Sequence, residues 1–308
     1  MLTERRAGMD HEHYDWSPIV NRPRLQWPGN ARVALCVIVG LEHVEWASPQ
    51  GSVRAPNLYS HLAMQRPIVE PWLVSYRDYG HRIGIFRVLD VLEKHGIRPT
   101  IAIDAMTARN YGYLVRHCVE RGCELIAHGI SASRMITSRM SEEEERAYIA
   151  ESIAALRDAT GRTPLGWSGP EYGESARTPQ LLAEAGIRYV CDWVNDEQPY
   201  RMKTGAGELY ALPAMIELDD AFALRDRQFR VDEYCEQLKE AFDTIYRDSE
   251  KSGRLLALSV HPWLMGQAFR IDFLDEALGH MARRQGVWAA SGSEVIEAYA
   301  QTRAKEEA

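Results

Sequence analysis

The sequence predicts an α/β fold: a (β/α)7–8 barrel rather than an open sheet. Three observations carry this. Short apolar runs alternate with segments of helical periodicity along most of the chain, which favours a parallel sheet with right-handed crossovers. A polar or ionisable residue follows nearly every run, and barrels of this kind gather their active sites at the carboxyl ends of the strands. No GxGxxG or GxxxxGK(S/T) follows any run, which weakens the open nucleotide-binding sheet as a competitor.

The elements follow in order. Residues 1–30 are polar and rich in Pro and Trp and read as an N-terminal arm; residues 31–308 read as one catalytic barrel domain. The run Ala34-Leu35-Cys36-Val37-Ile38-Val39-Gly40 is the first strand. Residues 47–78 carry Pro49, Gly51, Pro56, Pro67 and Pro71 without lasting periodicity and read as a long loop, functional or at an interface. A helix over 82–95 places Ile83, Phe86, Val88, Leu89 and Leu92 at helical spacing and stops at Gly96. Strand 100–103, a helix over 107–121 ending at Gly122, and a strand ending at His128 come next. Ser141-Glu142-Glu143-Glu144 fits a capping box opening a helix that runs to Gly161. The remainder reads as strand 164–167, helix 178–185, strands 189–191 and 209–212, helix 231–249, strand 255–260, helix 272–284, strand 287–289 and helix 293–304.

Bulk properties bound the function. The 308 residues are 45% hydrophobic and 26% charged, ample for a large core. A net charge of −8 argues against nucleic acid or an anionic membrane as partner. No apolar stretch approaches the roughly 20 residues that span a bilayer, and residues 1–10 show no apolar signal-peptide core. Cys36, Cys118, Cys123, Cys191 and Cys235 form no CxxC and read as reduced thiols of a cytoplasmic protein.

The chemistry concentrates after the strands. Glu42-His43 follow the first, Asp104 the second, His128-Gly129 the third, Ser168-Gly169-Pro170-Glu171 the fourth, Asp192-Trp193 the fifth and His261-Pro262-Trp263 the seventh. Neighbouring parallel strands would bring Glu42, His128 and His261 to one mouth. Asp104 also fits a helix cap and Asp192 a loop anchor. There is no HExxH or HxxxH, so a zinc site would have to be assembled from Glu42, His128 and His261 across three strands. Glu42 with Glu171 or Asp192 leaves a glycosidase-type carboxylate pair open. The lack of a GxSxG elbow weakens a serine-hydrolase reading.

In order and spacing the chain resembles the polysaccharide deacetylase superfamily, whose fold is a distorted NodB-like (β/α) barrel. The likeness spans about residues 30–300. It rests on Asp78-Tyr79-Gly80-His81-Arg82-Ile83-Gly84-Ile85-Phe86-Arg87, His128-Gly129, the run from Thr178 to Gly186, Asp192-Trp193 with Pro199-Tyr200, Ser259-Val260-His261-Pro262 and Gly286-Val287-Trp288. The first motif departs from the family's two aspartates: Glu42-His43 stand there. The second departs from its two histidines four apart: His128 is followed by Ala132. Where the third brings an arginine before a proline pair, Trp167-Ser168-Gly169-Pro170-Glu171 stand. This pattern resembles the branch of cofactor-independent allantoinases and cyclic amide or imide hydrolases. The resemblance implies Glu42 as base, His261 as general acid, and His128 either polarising the carbonyl or holding a metal. It leaves Trp167, Trp193 and Trp263 to wall a flat ring, and Glu171 or Asp192 to accept substrate N–H groups. It implies no cofactor, with one divalent metal such as Zn as the alternative for a deacetylase of an N-acetyl sugar. A homo-oligomer acting on a small cyclic substrate, without nucleic acid or membrane, completes the expectation.

Overall fold

The structure is a computed structural model that describes residues 10–47, 50 and 71–307. Its axis is β1 (Val33–Leu41), nine residues that are all buried, as a central parallel strand requires. On one side β1 pairs along Val33–Val39 with β8 (Arg254–Val260). On the other its carboxyl half pairs with β2 (Thr100–Ile103) and its start with β9 (Val287–Ala289). The sheet continues in parallel through β3 (Glu124–Ala127), β4 (Gly166–Trp167), β5 (Tyr189–Val190) and β7 (Tyr210–Ala211). Past β7 the chain reaches back to β8: Met215 N–H donates to the Ala257 carbonyl at 3.1 Å, and Leu255 N–H to that of Glu197 at 2.7 Å. The sheet is therefore curled, with backbone hydrogen bonds in place of a full strand where it comes round, which is the distorted barrel expected.

Strand parity sorts the core. Val33, Leu35, Val37 and Val39 face the outer helices, in one cluster with Val88, Leu92 and Ile149. Ala34, Cys36 and Ile38 face inward, in a second cluster with Ala102, Ile126, Ala257 and Leu255. Continuing each inward face past the strand end brings Glu42, His128 and His261 to the mouth. Sequence and physics agree here because each strand is a run long enough to fix its register.

Several expectations are corrected. The loop at 47–78 ends earlier: residues 71–79 are helix α1 (Pro71–Tyr79), which continues through a π-helical turn (Gly80–Gly84) into α2 (Ile85–Lys94). The rest of that loop, apart from residues 47 and 50, lies outside the described residues. The helix over 107–121 is broken at Tyr111 into α3 (Ala105–Asn110) and α4 (Gly112–Glu120). A short antiparallel β6 (Tyr200–Arg201) beside β7 was not foreseen. The capping box holds: Ser141 and Glu144 cap α5 (Glu142–Thr160), and Gly161 closes it in the left-handed conformation. The outer layer is completed by α6 (Thr178–Glu184), α7 (Val231–Asp248), α8 (Ile271–Ala282) and α9 (Gly292–Glu307). Residues 10–30 run over the body, where Trp27 buries its ring and donates to the Arg254 carbonyl at 2.8 Å. All five cysteines are free thiols, and no helix among the described residues is long and apolar enough to cross a membrane.

Candidate active site

At the carboxyl end of the strands a cavity of about 180 Å³ opens, lined by Glu42, His128, Ser168, Glu171, Tyr172, Asp219, Arg225, Ser259 and His261 among others. Gly40 sets its depth: a Cβ there would lie 2.8 Å from His261 Cδ2. Only a residue without a side chain lets the imidazole reach across to Glu42.

Glu42 is buried and stands between two imidazoles and a guanidinium. Arg77 Nη1 donates to its Oε2 at 2.5 Å, His128 Nε2 lies 3.4 Å from its Oε1, and His261 Nε2 lies 3.9 Å from its Oε2. Burial alone would raise its pKa. Arg77, His261 and His128 together outweigh burial and hold it well below the usual carboxylate range. Arg77 is itself fixed: its guanidinium lies 3.8 Å over the Trp263 ring, and it belongs to α1 just ahead of the π-helical turn, a distortion common at functional sites.

Each imidazole is oriented through its far nitrogen. His128 Nδ1 lies 2.5 Å from the Ser168 carbonyl. His261 Nδ1 lies 2.6 Å from Asp220 Oδ1, and the Asp220 carboxylate also accepts the His261 backbone N–H at 2.8 Å. In both rings Nε2 is left facing Glu42. Burial works against charging either ring, but the carboxylates win. The His128 pKa is raised, chiefly by Glu42, and that of His261 is pushed up to about 10 by Asp220, Glu42 and Asp219. At neutral pH His261 is a charged donor beside an ionised carboxylate.

The other expected residues divide. Glu171 lines the cavity and pairs with Arg225. Asp192 lies beneath it, buried, with both oxygens 2.9 Å from the Gly169 N–H, and burial pushes it up to about 7. That is the loop-anchor role. The three tryptophans do not form the described cavity wall. Trp167 faces outward by strand parity and packs against Tyr148 of α5. Trp193 packs on Tyr14 and His13 of the N-terminal arm and donates to Glu174 at 3.0 Å. Trp263 lies under Arg77. Asp104 is a helix cap, accepting the Thr107 N–H at 2.6 Å. The sequence reading missed Arg77, because it stood in a stretch read as loop, and Tyr172, Asp219 and Asp220. The adjacent acids Asp219-Asp220, eight residues past the end of β7, were the one cue for the last two, and no periodicity accompanied them.

A divalent metal fits these residues poorly. The guanidinium of Arg77 already occupies Glu42 Oε2. The expected set of Glu42, His128 and His261 is not the one with mutual ligand spacing. Among the described residues that spacing belongs to Asp219, Asp220 and His261, whose ligand atoms lie within 4.8 Å of one another. Those oxygens are committed: Asp220 to His261, and Asp219 to the N–H groups of Ala221 and Phe222 at 2.8 and 3.1 Å and to the Tyr172 hydroxyl at 2.7 Å.

The fold has counterparts among known proteins. Residues 76–190 match the family model for polysaccharide deacetylase. Over that stretch the chain carries a polysaccharide deacetylase (NodB-like) domain, and its curled sheet is the fold of solved NodB-like neighbours. A crystal structure of PuuE allantoinase is 26% identical, with a TM-score of 0.81 over 92% of this chain and 95% of that one. A provisional polysaccharide deacetylase from Pseudomonas aeruginosa PAO1 is 25% identical, also at 0.81, over 91% of this chain and 95% of that one. A Schizosaccharomyces pombe (strain 972) protein, provisionally a polysaccharide deacetylase, is 23% identical over 89% of this chain and 92% of its own length.

Proposed function

We propose that the protein hydrolyses a non-peptide C–N bond in a small cyclic amide, ureide or imide, with no metal in the chemical step. The carrying observation is that Glu42, His128 and His261 meet at one cavity with Arg77, rather than a ligand set, on the carboxylate. The cavity volume of about 180 Å³ lies below the ~300 Å³ low end of drug-sized ligand sites, the scale of a single ring rather than a polymer. The likeness to an allantoinase supports the same reading.

The residues divide the work. Glu42 takes a proton from water as its oxygen attacks the ring carbonyl carbon. His128, its pKa raised chiefly by Glu42 and its Nδ1 held at the Ser168 carbonyl, donates from Nε2 to the oxyanion. His261 delivers its proton to the nitrogen as the C–N bond breaks, and regains one from Glu42, restoring both groups. The Arg77 contact keeps Glu42 ionised but makes it a weak base, so the proton does not rest there.

Turnover of hydantoin, allantoin, succinimide and phthalimide by purified protein tests this, alongside an N-acetylglucosamine oligomer. Ring opening on the panel supports the reading. Silence on every ring together with deacetylation of the oligomer replaces it with the deacetylase alternative. The same proposal places the protein in the cytoplasm as a homo-oligomer, for which light scattering on the purified chain is the check.

A further inference from the structure

Asp192 anchors one particular peptide. The N–H that it accepts with both oxygens, at 2.9 Å each, belongs to Gly169. The carbonyl of that same peptide unit, Ser168 O, receives His128 Nδ1 at 2.5 Å. A trans peptide is planar, and its N–H and C=O point in opposite directions. Acid, peptide and imidazole therefore stand in line. Any turn of the peptide that takes its N–H off Asp192 also takes its carbonyl off His128. A carbonyl can only accept, so the ring carries a proton on Nδ1 there and turns Nε2 towards Glu42.

Gly169 is suited to this contact rather than to its own backbone. Its φ of −71° and ψ of 144° are open to any residue. A Cβ there, however, would lie 2.8 Å from the Gly173 carbonyl oxygen and 3.0 Å from Asp192 Oδ2. Asp192 has support of its own. Glu174 accepts the Trp193 indole N–H at 3.0 Å. Burial and the neighbouring Asp192 raise the Glu174 pKa well above the carboxylate range, so Glu174 keeps its proton beside Asp192. Two buried acids thus share one negative charge, directed at a single amide N–H. A carboxylate on the N–H polarises the amide and strengthens the bond that its carbonyl accepts. His261 meets its acid directly, through Asp220 on Nδ1. Both imidazoles that face Glu42 therefore end on a buried acid, His128 at one peptide's remove.

We propose that Asp192 is a positioning residue for His128, acting through the Ser168–Gly169 peptide. What that position does in catalysis rests on the hydrolase reading; the first readout of the test does not. That readout is the imidazole N–H proton resonance of His128 in histidine-labelled protein, assigned by its loss in His128→Gln. Wild type should show it downfield and slow to exchange. Asp192→Leu, similar in shape but with no acceptor, should move it upfield or lose it to exchange. On whichever ring of the panel above is turned over, the leucine variant should lose about 10- to 100-fold in kcat, the usual cost of removing the partner that orients a working histidine. KM should stay within about twofold, since no contact to substrate is removed. Asp192→Asn restores an acceptor without the charge and should fall between leucine and wild type on both readouts. If the leucine variant does not fold, as judged by circular dichroism melting, asparagine alone must still move the resonance upfield. A resonance that stays at its wild-type position, a loss confined to KM, or an asparagine variant no better than leucine overturns the assignment. Ring hydrolysis with a resonance indifferent to Asp192 refutes the positioning role alone. A resonance that depends on Asp192 in a protein that opens no ring refutes the hydrolase reading alone.

Discussion

Replacing Asp220 by asparagine tests how His261 is kept charged. Burial draws the imidazolium pKa down, and Asp220, Glu42 and Asp219 push it up to about 10, so the proton it delivers is present across the neutral range. Asp220 touches the ring directly, 2.6 Å from Nδ1. A hydrogen bond to a charged partner contributes about 1.5–3 kcal/mol, and one pKa unit corresponds to about 1.4 kcal/mol. Asparagine keeps an acceptor oxygen there but removes the charge, so the pKa should fall by about 1–2 units. The alkaline limb of kcat/KM would then move from near 10 to about 8–9, and at the larger shift the contrast is clearest. The signature is selective. At pH 7 most His261 remains charged, and the variant loses less than about tenfold; at pH 9 the loss deepens by roughly another factor of ten. Initial rates over pH 5–11 provide the assay, read early because stability changes in the same window. The folded pKa of His261 lies above its ordinary 6.5, so its stabilisation is complete below that value and is lost as pH climbs through about 10. An alkaline limb that stays in place in Asp220→Asn, or a loss of equal size at every pH, refutes His261 as the acid.

Three further outcomes follow from the same site. Glu42→Gln should lose turnover by about 10²–10⁴. It should also lose stability, about 3–5 kcal/mol, because Arg77 is left buried without its partner; denaturant melts measure this. Adding Arg77→Met to that variant should restore most of the stability and none of the activity, and a double variant as unstable as the single one would show that the pair is not coupled. Elemental analysis should find zinc well below one per chain and chelator should leave ring hydrolysis unchanged, whereas stoichiometric zinc with chelator-sensitive turnover would favour the deacetylase alternative.

The sequence made the three central side chains visible because each closes a strand whose apolar run is unmistakable: β1 and β8 are buried throughout, and β3 ends in buried Ile126 and Ala127. Strand parity then aims Glu42, His128 and His261 inward. The same parity explains the error at Trp167. It neighbours the cavity residue Ser168, so it must face the opposite way, and its aromatic character suggested a ring wall that geometry forbids. Residue type alone misled at Trp193 and Trp263 as well. The segment carrying Asp219, Asp220 and Arg225 was illegible for another reason. It folds as a 3₁₀ turn (Ile216–Leu218) and a π-helical turn (Ala221–Asp226), neither of which leaves a lasting periodicity. Arg77 was hidden by the prolines before it: Pro71 opens the helix, where proline is tolerated, rather than breaking one.

The charge arrangement makes sense only as a whole. An ionised Glu42 in a buried site would repel nothing and attract every nearby proton; burial by itself would neutralise it. Arg77 prevents that, and the carboxylate in turn raises His128 and His261. Arg77 thus acts on both imidazoles through Glu42, while Asp220 supplies the larger push on His261. That is why the helix bearing Arg77 must be held at a set height above the strand ends. The close approach of the π-helical turn to the chain after β8 does this: a Cβ on Gly84 would lie 2.0 Å from the Pro262 carbonyl oxygen, and one on Gly80 would lie 2.9 Å from the Trp263 nitrogen. The glycines of the π-helical turn let the helix seat directly on the His261-Pro262-Trp263 segment. The stacking of Trp263 under Arg77 then ties the cation to the same strand that supplies the acid. Base, acid and the cation that keeps the base ionised are thus placed by one contact between two elements. A side chain at Gly84 should change the pH profile as well as the melting point.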